Sequence, residues 1–138
     1  MTVAKVWDQT TSSWIPVTGP VSRADFNALA WGTPVWTDLP ALQNGFTHYD
    51  QGQYTIDPWG YVRMRGELRS PASATGADVL LFTMPAGYRP PKRCYCILFE
   101  NTTTYRTGYI STDGTVRLSF GLAANSVTNI GLVTYPTR

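Results

Sequence analysis

The side chains able to do chemistry are few: one histidine, His48, two cysteines, Cys94 and Cys96, and nine carboxylates in 138 residues. A general base or nucleophile needs a second group to activate it, and no Cys, Ser or Thr around His48 forms a recognisable nucleophile motif. Cys94-Tyr95-Cys96 with a distant His48 also lacks the paired ligand spacings of a zinc site. The single residue between the cysteines puts both on one face of a strand, where they cannot readily meet disulfide geometry, so they read as reduced core residues. Asp57 and Glu67 fall near one predicted hairpin and are the nearest approach to a glycosidase pair. Any chain with this many carboxylates offers such pairs, and solvated turn and strand-face residues are the plainer reading. The glycine-containing stretches read as turns, none of which opens a helix after a strand as a phosphate-binding loop does. The expectation is a protein that is not an enzyme and uses no cofactor or metal.

The richer supply is aromatic, with five Trp and eight Tyr. Aromatic faces stack on sugar rings while Arg, Asn and Asp hold the hydroxyls, and Trp59, Tyr61, Tyr88 and Tyr105 sit in or beside predicted loops. For a ligand, the best placed are Trp59 in the turn Asp57-Pro58-Trp59-Gly60 and Tyr88 with Arg89 in the Pro-rich loop 85–91. Rigid turns present rings and guanidinium groups at little ordering cost. The alternative makes Tyr88 a packing residue and Arg89 an intersubunit hydrogen-bond donor.

The elements that must position these residues are mostly short strands. Tyr61 to Arg69 is the clearest, since Val62, Met64 and Leu68 share one face and the charges fall on the other. The turn before it connects to a strand around Gln53 to Ile56. Further strands are read at Val79 to Met84, Cys94 to Glu100, Tyr105 to Ile110, Thr115 to Phe120 and Val127 to Tyr135, with Asp113-Gly114 as a hairpin turn. Such spacing indicates an all-β fold of antiparallel type, a sandwich or barrel, and the expectation is an antiparallel β-sandwich that is jelly-roll-like. Before it, Val3 to Asp8 and Trp14 to Val17 form a small hairpin or arm. Ser22 then caps a short helix, with Asp25 as the capping-box acid and Val21 and Phe26 as the staple, ended by Gly32 and Pro34. Its narrow apolar stripe must pack on the β-domain or on copies of itself. The division is residues 1–34, arm and helix, and residues 35–138, the sandwich.

Charged residues make up only 14% of the chain, which suits a surface that is polar-uncharged or covered by partners. The formal charge of +2 comes mainly from scattered arginines, so nucleic acid is not an expected partner. No stretch reaches the ~18 apolar residues of a membrane span, and the first residues lack a signal-peptide core, so synthesis in a cytoplasm is expected.

Four segments carry a resemblance. Trp36-Thr37 with Leu42-Gln43-Asn44-Gly45-Phe46-Thr47 comes first, then Tyr61 to Leu68, then Phe82-Thr83-Met84-Pro85-Ala86-Gly87-Tyr88-Arg89-Pro90-Pro91, and last Ile110 to Val116. In this order they resemble the C-terminal module of tailed-phage tail-fibre and minor tail proteins, over about residues 36 to 138. The resemblance implies a β-sandwich made in the host cytoplasm, homotrimeric, and displayed on the virion surface for host attachment, with host cell-envelope glycan as a candidate receptor. Phe26, Leu29 and Trp31 are then the trimer contacts, and residues 1–34 hold other virion proteins. Such a module normally follows a long stalk, and only some 35 residues precede it here. The alternative is therefore a capsid decoration or head-fibre protein whose arm grips the major capsid protein instead of the tail.

Overall fold

The computed structural model describes residues 5–8, 11–16, 34–73 and 75–138. Every regular element among them is a strand. The helix expected after Ser22, with Phe26, Leu29 and Trp31, lies outside the described residues. Strands β1 (Lys5–Asp8) and β2 (Ser13–Pro16) pair as a separate antiparallel hairpin. The remaining strands are β3 (Thr37–Asp38), β4 (Thr47–Ile56), β5 (Tyr61–Arg69), β6 (Val79–Thr83), β7 (Cys94–Glu100), β8 (Thr104–Ile110), β9 (Thr115–Leu118), β10 (Val127–Asn129) and β11 (Thr134–Pro136). They form one antiparallel sheet in the order β3-β4-β5-β10-β7-β8-β9-β6, with β11 also on β5.

This sheet curls on itself. Gln43 and Asn44, which lead into β4 near one end of the order, bond to β6 at the other end. The Gln43 N–H donates to the Leu81 carbonyl (2.8 Å) and Asn44 Nδ2 to that of Leu80 (2.9 Å). The concave face closes over one core, which gives the expected all-β, sandwich-like antiparallel fold. Alternation on β5 decides which side chains enter it: Val62, Met64 and Leu68 are buried, while Arg63 and Arg65 are exposed. β7 alternates likewise, sending Cys96, Leu98 and Glu100 inward and Tyr95 and Ile97 outward.

Two local features differ from expectation. Val127 to Tyr135 is not one strand but two, because Asn129 Oδ1 accepts the Gly131 N–H (2.8 Å) and the Ile130 carbonyl accepts that of Val133 (3.0 Å), which builds a turn. β4 is also longer than Gln53 to Ile56, running back to Thr47 through two register shifts against β5. Gly66 makes this crossing possible. Its φ is +103°, and a Cβ there would lie 2.5 Å from the Gln51 carbonyl oxygen, so only glycine lets the bulged strand pass.

Candidate functional site

The turn at one end of the β4–β5 hairpin is fixed by a single carboxylate. Asp57 Oδ1 accepts the N–H groups of Trp59 and Tyr61, each at 3.0 Å, and Oδ2 pairs with Arg63 Nε at 3.1 Å. Trp59 stands on this turn, about half exposed. Arg138 reaches it by donating to the Trp59 carbonyl (3.2 Å) while its guanidinium lies 4.0 Å over the Trp14 ring of β2. Tyr88 flanks the same β1–β2 hairpin, with its hydroxyl 3.5 Å from Ser12 Oγ. It is half-buried: the ring meets Tyr54 edge-on at 4.9 Å, and its carbonyl accepts the Tyr135 hydroxyl (2.8 Å). Arg89 is exposed but turned another way, donating from Nε to the Met84 carbonyl (2.9 Å) beside Gly114. Of the three residues singled out in the sequence, Trp59 offers a free aromatic surface, Tyr88 gives most of its ring to packing, and Arg89 braces the loop.

A second arrangement lies on the convex face, where the sequence gives no warning of it. Registers across four adjacent strands place Glu67 of β5 opposite Asn129 of β10, Asn129 opposite Phe99 of β7, and Phe99 opposite Tyr105 of β8. Directly opposite residues share a face, and at about 4.8 Å between strands this row spans about 14 Å. It runs from a carboxylate through an amide to two rings in tilted contact, since Phe99 and Tyr105 have centroids 4.5 Å apart at an interplanar angle of 45°. Tyr49 stands beside it, its ring covered by the Arg69 guanidinium at 4.8 Å.

Tyr49, Glu67, Phe99, Asn101, Thr102, Val127 and Asn129 line a cleft of about 220 Å³. Its polar groups are held in place: Asn129 Nδ2 donates to Glu67 Oε1 (3.3 Å), and Asn101 Oδ1 accepts the Val127 N–H (3.0 Å). Asn101 and Thr102 both have positive φ, forming the tight β7–β8 turn that closes one wall. The arrangement combines aromatic walls, a carboxylate and two side-chain amides. It suits hydrogen bonding to hydroxyls with an apolar ring face stacked on Phe99 or Tyr49.

The groups considered for catalysis do not come together. Glu67 lies six residues into β5, about 20 Å from the Asp57 turn at 3.3 Å per residue, beyond any glycosidase carboxylate pair. His48 is exposed, and its Nδ1 accepts the Gly52 N–H at 3.1 Å within the bulge. Burial pushes the Cys96 thiol up to about 11, which keeps it protonated.

The fold of this curled antiparallel sheet is similar to that of two phage receptor-binding proteins. The receptor-binding protein of Listeria phage PSA superposes on it with a TM-score of 0.62 at 15% identity, over 84% of this chain and 71% of that one. The head domain of lactococcal phage bIL170 gives a TM-score of 0.51 at 14% identity, over 77% of this chain and 100% of that one. At these identities the likeness is one of fold. No family model matches the sequence, and no curated protein is similar to it.

Proposed function

We propose that this chain is a non-enzymatic surface protein of a tailed-phage virion, and that it contacts host envelope carbohydrate through the convex cleft. The observation that carries the reading is the Glu67–Asn129–Phe99 row, a pre-ordered amide and carboxylate beside an aromatic wall, on a fold shared with phage receptor-binding proteins. Preorganisation matters because side chains already held by hydrogen bonds lose little freedom when a ligand arrives. Trp59 is the second contact candidate, on a turn equally well fixed by Asp57.

Adsorption of the purified, labelled chain to host cells tests this. Phe99→Ala and Asn129→Ala are expected to weaken adsorption at least tenfold while the circular dichroism spectrum stays that of the native chain. Trp59→Ala and Tyr88→Ala measure the other end in the same assay. Loss there, with none at Phe99 or Asn129, would move the contact to the Asp57 turn. Gold-tagged antibody on intact virions separates the tail position that attachment requires from a position on the capsid. Release of reducing sugar from host envelope by the native chain would overturn the non-enzymatic reading.

A further inference from the structure

The convex cleft carries one charge, and nothing around it neutralises that charge. Glu67 is the charged residue among those that line it. Its carboxylate is half-buried and takes a single hydrogen bond from the described residues, the 3.3 Å bond of Asn129 Nδ2. A carboxylate has about four acceptor sites, so most of its capacity is unused. The ion pairs of the described residues join Arg63 to Asp57, Arg106 to Glu100 and Arg117 to Asp78, and none reaches Glu67. Arg69, two residues further along β5, is turned onto the Tyr49 ring at 4.8 Å. On β4 the residue opposite Glu67 is Asp50, whose Oδ1 accepts the neighbouring Gln51 N–H (2.9 Å). Like charges directly opposite each other destabilise a sheet, and a cation bound beside them offsets the repulsion.

We propose that the cleft selects an amino sugar with a free ammonium group, held by Glu67 while the sugar ring stacks on Phe99; this rests on the carbohydrate reading of the same cleft. The oxygens of both cleft amides are already engaged, Asn129 Oδ1 by the Gly131 N–H (2.8 Å) and Asn101 Oδ1 by that of Val127 (3.0 Å). Glu67 is therefore the strong acceptor left for a ligand. An ammonium group has three donors and no acceptor, which fits a carboxylate with unused oxygens, whereas N-acetylation removes the charge and leaves one donor. Glu67 and Phe99 stand two strands apart across Asn129, about 9.6 Å, so a ring on Phe99 can direct its substituent over Asn129 to the carboxylate. A glycan bearing phosphate or carboxylate would set like charge against Glu67. The chain as a whole is formally +2, so the attraction of a cation is a property of this place and not of the net charge.

Calorimetric titration of the full chain with oligomers of glucosamine and of N-acetylglucosamine, equal in length and linkage, is the test, at mildly acidic pH where the free amine is protonated. The glucosamine oligomer is expected to bind about tenfold more tightly, as a charge-assisted hydrogen bond in a half-buried place allows. Glu67→Gln should abolish the preference, and Phe99→Ala should weaken both ligands. If Glu67→Gln does not fold, the native chain is titrated at rising salt, where a preference carried by charge shrinks and one carried by shape does not. Equal affinities for the two oligomers would overturn the inference and leave the cleft a carbohydrate site. A preference that survives in folded Glu67→Gln would overturn it by placing the recognising charge elsewhere. Binding of neither oligomer would overturn it as well, and host-cell adsorption separates that result from failure of the carbohydrate reading: adsorption that still needs Phe99 keeps the cleft without the ammonium, whereas adsorption indifferent to Phe99 removes both.

Discussion

The two halves of the convex face share a core and differ in almost everything outside it. On β4 and β5 the outward residues include Arg63, Arg65 and Arg69, and each guanidinium is held: Arg63 by Asp57, Arg65 by Gln53 and the Trp36 ring at 4.2 Å, Arg69 by Tyr49. On β7 and β8 the outward residues are Tyr, Ile, Phe and Thr, with charge only at the border. One half is finished as a solvated surface, and the other is apolar at its centre. The cleft lies on the seam, where β10 joins β5 to β7. The same inward alternation therefore specifies the fold on both sides, while the outward residues are free to specify partners.

If the halves share one core, damage beneath either should be felt by both. Leu68 under β5 and Leu98 under β7 are both buried, and Leu→Ala at either is expected to cost about 3 kcal/mol and keep a single unfolding transition. Urea denaturation followed by fluorescence and by circular dichroism checks this. Two separated transitions would show that the halves melt independently and would break the comparison.

The ion pairs sharpen it. Glu100 of β7 is buried and bonds Arg106 Nε at 2.6 Å and the Ala123 N–H at 3.4 Å, whereas the Arg63 partner of Asp57 is 59% exposed. Glu100→Gln should cost about 2 kcal/mol, because a charge-assisted bond in a buried place is weakened while Arg106 stays. Arg63→Ala should cost less than about 1 kcal/mol.

The pH dependence follows from the same residue. Burial pushes the Glu100 carboxyl up, but hydrogen bonds from Arg106, Ser126 and Ala123 outweigh it and hold the group below its ordinary value. A carboxylate lowered by folding contributes stability that is complete above the unfolded value, about 4.3, and is lost as pH falls through the folded value. Melting temperature should thus fall in acid below about pH 4.3, and Glu100→Gln should flatten that fall. Asp113, lowered by the Thr115 N–H and hydroxyl, adds a further loss below its own unfolded value, about 3.9, and remains in the variant.

Arg65→Ala is expected to cost about 1 kcal/mol, less than Glu100→Gln, through loss of the Trp36 contact and the Gln53 bonds. Guanidinium chloride midpoints measure it. A loss as large as that of Glu100→Gln would mean that the β4–β5 surface is structural and not merely solvated.

Much of the scaffold was legible from residue types. β5 and β7 run as read, because strict alternation marks the first and a dense apolar run between turn residues marks the second. The Asp113-Gly114 turn joins β8 and β9 as expected, with Gly114 at φ +89°. The site was less legible. Trp59, Tyr88 and Arg89 stand in turns that the sequence announces, and turn chemistry is local. Tyr49, Glu67, Phe99 and Asn129 come from four strands that become neighbours only through the non-sequential order β5-β10-β7, which no local pattern encodes. The signal nearest to hand was Tyr95-Cys96-Ile97-Leu98-Phe99, but a run apolar at every position does not say which side is out. The turn that divides β10 from β11 depends on the Asn129 side chain and was hidden within an apolar stretch.

The three-residue strand β10 also sets an order of events during synthesis. It bonds on one side to residues 67–69 and on the other to residues 99–100, so β5 and β7 cannot be bridged until the ribosome has made residue 129. Until then both strands carry unpaired edges beside apolar side chains, the state in which nascent β-proteins aggregate. Pairings so distant in sequence close slowly, because the intervening loop entropy is lost before the contacts form. The convex cleft consequently cannot exist before residue 129 is made, and a chain released earlier would have neither a cleft nor a protected sheet.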